Sequence, residues 1–183
     1  MKYIFRFSFM TLLMLTFHVL AHAQQKELQN LTSTLYQKEF NKLVAQGYRP
    51  IKVWSKTLQV IDYDPGEVPR PGYWAIFEKR TNSSPWVARH GLSASAYQTE
   101  FNTWTSKGFI PSDINVACVE GHVIYCVIYD KYPTPMIWQA RHGLDYATYN
   151  TVNKDLLKQG YKRRIFSFCK TPGGNIFAAM WAK

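Results

Sequence analysis

Acidic residues are scarce in this chain: 12 Asp and Glu stand against 22 Lys and Arg among 183 residues, a formal charge of +10. That balance excludes an acidic solvating tail and favours anionic partners, such as polymers bearing carboxylate or phosphate. Cysteine is scarcer still. Cys118, Cys126 and Cys169 form no CxxC spacing and no Cys/His cluster, so no metal site and no cofactor is expected. Beyond residue 23, no apolar run approaches the roughly 20 residues that a membrane-spanning helix requires.

The first residues carry a different signal. Lys2 and Arg6 precede an apolar run that ends in Ala21-His22-Ala23, a small-x-small pattern. This predicts a signal peptide over 1–23 and a secreted or periplasmic domain over 24–183, with an uncleaved anchor as the alternative. No membrane span then remains and no nucleic acid partner is expected. The exported part has 183 − 23 = 160 residues and a charge of 20 − 12 = +8, which suits one domain with a substantial core. Export permits a disulfide, and Cys118 and Cys126, symmetric about His122 in a hairpin-like segment, are the expected pair. Buried reduced thiols are the alternative.

What is abundant is repetition. Trp86-Val-Ala-Arg-His-Gly-Leu92 returns as Trp138-Gln-Ala-Arg-His-Gly-Leu144, with a period of 144 − 92 = 52 residues. Self-similarity at such a period marks units that cannot bury their apolar faces alone and need a neighbour. Three units follow, approximately 31–85, 86–137 and 138–183. After Leu31, Leu92 and Leu144 stand Thr32, Ser93 and Asp145, each suited to accept a free amide at a helix start. Gly47, Gly108 and Gly160 stand where a left-handed C-terminal cap would end each helix. The brackets predict a four-turn helix per unit, with Leu35, Tyr36, Phe40, Leu43 and Val44 as the first apolar stripe and Tyr97, Phe101 and Trp104 as the second. In the third unit Asn153 replaces the Phe, and Leu156 and Leu157 continue the stripe.

Strand-like segments rich in β-branched and aromatic residues follow each glycine: 51–55, 59–63 and 73–79, then 114–119 and 123–130, then 164–169 and 176–182. The fold class is therefore α+β: three tandem repeats, each a four-turn helix followed by antiparallel β-strands, packed as one domain. The first unit has Gln25-Lys-Glu-Leu-Gln-Asn30 in place of the Trp and Arg-His motif. The chain ends either cap the array or close it into a ring.

The motif Trp-x-Ala-Arg-His-Gly-Leu, followed by Tyr97-Gln-x-Glu-Phe101 and a Gly-aromatic pair, resembles the bacterial tandem repeat of polyglycine hydrolase-like proteins. Tyr36-Gln-Lys-Glu-Phe40 and Gly47-Tyr48 repeat the same pieces. The resemblance covers residues 31–183 and implies a non-catalytic module, often joined to a separate serine hydrolase domain that cuts glycine-rich linkers. A stretch of 183 residues filled by the repeats is not expected to hold that domain as well.

Candidate chemistry is sparse. Ser167-Phe-Cys-Lys170 fits the S-x-x-K spacing of a serine nucleophile and its lysine. In a strand, however, residues three apart project to opposite faces. His90 and His142 are the candidate general bases, with their neutral forms favoured by the adjacent Arg89 and Arg141. Their exact repetition favours a structural role, with imidazole and guanidinium bonding the backbone at the strand-to-helix junction and Trp86 and Trp138 filling the space between units. Arg89, His90, Arg141 and His142, together with Arg70 and Tyr132 on loops, are the candidate binding residues. The expected function is recognition of an extracellular protein or an anionic or glycan polymer. A small peptidase acting on glycine-rich peptides and an accessory subunit of a separate hydrolase are the alternatives.

Overall fold

A computed structural model describes residues 25–58, 70–79 and 84–183. The expected signal peptide and the expected strand at 59–63 lie outside the described residues. Each unit runs strand, helix, strand, strand. The first has β1 (Gln25–Leu31), α1 (Ser33–Ala45), β2 (Tyr48–Thr57) and β3 (Pro71–Lys79). The second has β4 (Trp86–Leu92), α2 (Ala94–Thr105), β5 (Ile110–Val119) and β6 (His122–Asp130). The third has β7 (Trp138–Leu144), α3 (Tyr146–Lys158), β8 (Lys162–Thr171) and β9 (Gly174–Ala182). Every unit forms an antiparallel three-stranded sheet with its last strand in the centre, in the orders β1-β3-β2, β4-β6-β5 and β7-β9-β8. The partner of β2 is thus β3.

The caps act as their residue types dictate. Thr32, Ser93 and Asp145 accept from the backbone amides of Leu35, Ala96 and Thr148, and Gly47, Gly108 and Gly160 take positive φ beyond the helix ends. At the entry to each helix the chain again needs φ > 0, met by Gly91 at 68°, Gly143 at 66° and Asn30 at 52°. Asparagine is the residue after glycine that tolerates this conformation best. Gln25 to Asn30 therefore build the same strand as the motif, without its tryptophan or histidine.

One residue per two turns anchors α1 and α3, and Tyr97 alone is buried in α2. Tyr36 and Leu43 are buried in α1, and Tyr149 and Leu156 in α3. Leu35 and Leu157, expected in the stripe, are 50% and 49% exposed. Each lies one residue, about 100° of rotation, away from an anchor, and a single sheet covers only a narrow stripe.

The second hairpin corrects the expected disulfide. Its turn is the two-residue Glu120-Gly121, both at positive φ, which places Val119 opposite His122. Cys118 then faces Val123 and Cys126 faces Asn115, so Cys118 and Cys126 are out of register with each other. Cys118 instead bonds Cys169 on β8, stapling units two and three, while Cys126 is free and fully buried.

The units stack in line. Cys126 and Ile128 of the second sheet join the core formed by Tyr36, Val53, Tyr73 and Phe77 of the first. Ala178, Met180 and Ala182 of the third join Tyr97, Tyr125 and Val127 of the second. The free edges of β2 and β5 receive side chains of the next unit. Val53 and Ser55 on β2 donate backbone amides to Asp113 and Asn115 at 2.9 and 3.2 Å, and Val116 on β5 donates to Ser167 Oγ at 2.9 Å. A bare strand edge would otherwise present unpaired donors to any passing chain.

Candidate functional site at the unit junctions

The repeated motif sits where one unit meets the helix of the unit before it. Trp86 packs edge-on against Phe40 of α1, and Trp138 against Phe101 of α2, with ring centroids 6.0 and 5.9 Å apart. The histidines, partly buried like the tryptophans, each pack against two tyrosines. His90 packs against Tyr36 and Tyr73 at 4.5 and 4.7 Å, and His142 against Tyr97 and Tyr125 at 4.6 and 5.5 Å. Burial lowers both imidazole pKa values, opposed at His90 by its contact with Ser33, so the neutral form is favoured. The cause is desolvation, rather than the neighbouring arginine that the sequence suggested.

Each imidazole reaches a side chain of the preceding helix, and His90 also has a hydrogen bond with the Ser33 backbone. His90 Nε2 is 3.1 Å from Ser33 Oγ, and His142 Nε2 is 2.7 Å from Gln98 Oε1. The Gln98 amide nitrogen is committed to Asn102, so its carbonyl oxygen faces the ring and His142 Nε2 must carry the donated proton. That leaves Nδ1 as a buried acceptor with no partner among the described residues. The guanidinium groups do bond backbone: Arg89 donates to the Ala88 carbonyl at 3.0 Å and Arg141 to that of Ala140 at 2.8 Å.

Two equivalent cavities result. One of about 300 Å³ is lined by Tyr36, Gln37, Phe40, Ala88, Arg89 and His90. The other, about 260 Å³, is lined by Tyr97, Gln98, Phe101, Ala140, Arg141 and His142. They differ in charge. Arg89 donates to Glu100 at 3.0 Å, and Glu100 also accepts from Trp104 Nε1 at 2.7 Å. One period later Glu100 and Trp104 become Val152 and Leu156, so Arg141 is exposed and has no carboxylate partner among the described residues.

The other sequence candidates lie elsewhere. Ser167 is committed to the β5 edge and is no nucleophile beside Lys170, since alternate strand residues separate the two. Arg70 is exposed, its carbonyl accepting from Leu58 at 2.7 Å. Tyr132 lines a third cavity of about 400 Å³ with Ser112, Lys131 and the buried ion pair of Arg49 and Asp130. That pair, like Ser33 and Gln98, escaped sequence reasoning. Its signal was a departure from the repeat: Arg49 occupies the register of Ile110, and Asp130 that of Ala182.

Comparison with protein families matches residues 24–54, 83–132 and 137–183 to the family described as "Polyglycine hydrolase-like, structural repeat". The chain belongs to that family. The three matched segments contain most of the three units, including both Arg-His motifs. Among curated proteins none matches the chain. In this member of the structural repeat family, Trp and His are junction residues that close one unit onto the helix of the unit before, whereas Arg89 pairs with Glu100 of its own unit. Among the described residues no group of three or more His, Cys, Asp or Glu is placed to hold a metal ion, and no helix is long and apolar enough to cross a membrane.

Proposed function

We propose that this chain is an exported, non-enzymatic recognition module that holds an extracellular protein or an anionic or glycan polymer at its unit junctions. One observation carries the reading: Arg141 lines an aromatic-walled cavity, exposed and without a carboxylate partner among the described residues, whereas the equivalent Arg89 is neutralised by Glu100. A guanidinium offers a planar fork of donors matched to a carboxylate, with Tyr97 and Phe101 as apolar walls for a chain beside it. Carriage of the ligand to a separate hydrolase fits the same surface.

A second reading has its own observation. Ser33 Oγ lies within hydrogen-bond distance of the neutral-leaning His90, the geometry of a nucleophile and its base, and Ser33 opens α1, where free amides could receive an oxyanion. The second junction cannot repeat it, because Ala94 stands in place of Ser33.

Incubation of the chain with a glycine-rich peptide bearing a free C-terminal carboxylate, followed by mass spectrometry of bound and free fractions, separates the two. Recognition predicts intact peptide, retained by the wild type and by Arg89→Gln but lost in Arg141→Gln. Cleaved products that vanish in Ser33→Ala and His90→Gln establish the hydrolase instead. Peptide that is neither retained nor cut overturns both readings for this ligand.

A further inference from the structure

The outer face of the first sheet departs from the repeat in a way that packing does not require. By register, Trp54 opposite Trp74 occupies the place of Asn115 opposite Cys126 and of Ser167 opposite Ala178. In units two and three this row is small and faces the preceding unit, with Cys126 and Ala178 entirely buried there. In the first unit the row faces away from the other two, and two partly exposed tryptophans stand side by side on a sheet face. A terminal repeat ordinarily turns a polar face outward.

The tryptophans are flanked by cations. Lys52 Nζ lies 5.7 Å from the Trp54 ring centre and Lys56 Nζ 5.8 Å from that of Trp74. Both lysines are exposed, and neither forms an ion pair among the described residues. Carboxylates near Lys52 among the described residues include Asp113, on β5 and bonded to the Val53 amide of β2, and Glu27, across the sheet in the row of Ile76 and Lys52. The face thus supplies two flat apolar rings, each with its own ammonium within a few ångströms.

We propose that this face binds a polymer of hexuronic acid, with sugar rings stacked on Trp54 and Trp74 and their carboxylates held by Lys52 and Lys56. The C–H face of a pyranose packs on an indole, and a uronic carboxylate is attached directly to the stacked ring. That matches a cation lying over the same ring. In a nucleotide the phosphate is separated from the stacking base by a sugar, so the acid group falls away from the ring that is stacked. The site is distinct from the junction cavities and stands or falls independently of them.

The test is isothermal titration of the full chain with an oligomer of galacturonic acid and with a neutral galactose oligomer of equal length, monitored also by tryptophan fluorescence. Expected is salt-sensitive binding of the acidic oligomer, weakened at least tenfold in Trp54→Leu/Trp74→Leu. Lys52→Gln/Lys56→Gln should abolish the preference for acid over neutral sugar, and Lys154→Gln, at an exposed lysine of α3, should leave binding unchanged. The leucine pair keeps the partly buried apolar contacts, and circular dichroism and thermal melting confirm its fold. The proposal is overturned if neither sugar binds or if the leucine pair binds as well as wild type. Tighter binding of single-stranded DNA, or tryptophan-dependent self-association without sugar binding, also overturns it.

Discussion

Asp113 makes the junction between the first two units sensitive to acid, in a direction opposite to that of most carboxylates. It leaves the second sheet to accept the Val53 amide at 2.9 Å, and burial between the units pushes its pKa from 3.8 up to about 6, against the lowering effects of that hydrogen bond and of Lys52. Because the folded state holds the proton more tightly than the unfolded chain, this contribution to stability is complete below pH 3.8. It is lost as pH climbs through about 6. The gap corresponds to an upper limit of about 3 kcal/mol, at about 1.4 kcal/mol per tenfold change in proton affinity. Asp113→Asn keeps an acceptor for Val53 but does not titrate. Urea denaturation of both proteins from pH 4 to pH 8 should show the variant gaining about 2–3 kcal/mol on the wild type between pH 4 and 7, with contributions from other groups cancelling in the difference. Parallel stability curves would refute the idea that a desolvated carboxyl seals this edge.

Two further outcomes follow from the stack. Cys118 and Cys169 close a loop with a sequence separation of 51, so Cys118→Ser/Cys169→Ser should cost about 4 kcal/mol by chain entropy; non-reducing peptide mapping should recover only that bridge, and any link to Cys126 would contradict it. Gly91 and Gly160 both hold positive φ, but a Cβ at Gly91 would lie 2.8 Å from the hydroxyl of buried Tyr73 while one at Gly160 meets nothing. Gly160→Ala should therefore cost about 1 kcal/mol for the left-handed backbone alone, and Gly91→Ala distinctly more; equal losses in a thermal melt would show that Tyr73 yields freely.

The sequence by itself determined what depends on local periodicity. The 52-residue period, the capping residues Thr32, Ser93 and Asp145, and the glycines that end each helix are local instructions, and the structure follows each of them. The junction role of Trp86 and Trp138 was also legible, because a motif copied into successive repeats serves the contact that repetition creates. Only the tertiary structure decided the partners. Whether a cysteine meets its neighbour in the hairpin or one in the next unit depends on a turn centred at Glu120-Gly121 and on how sheets stack, so Cys169 was invisible as the mate of Cys118. The same holds for the histidines: Ser33 and Gln98 reach them from a different unit, at sequence separations of 57 and 44. That Arg141 has no carboxylate partner among the described residues is decided in the same way, by Val152 standing in α3 where α2 carries Glu100. Local sequence fixes which way a chain turns, whereas which charges are cancelled depends on groups that only packing brings within reach.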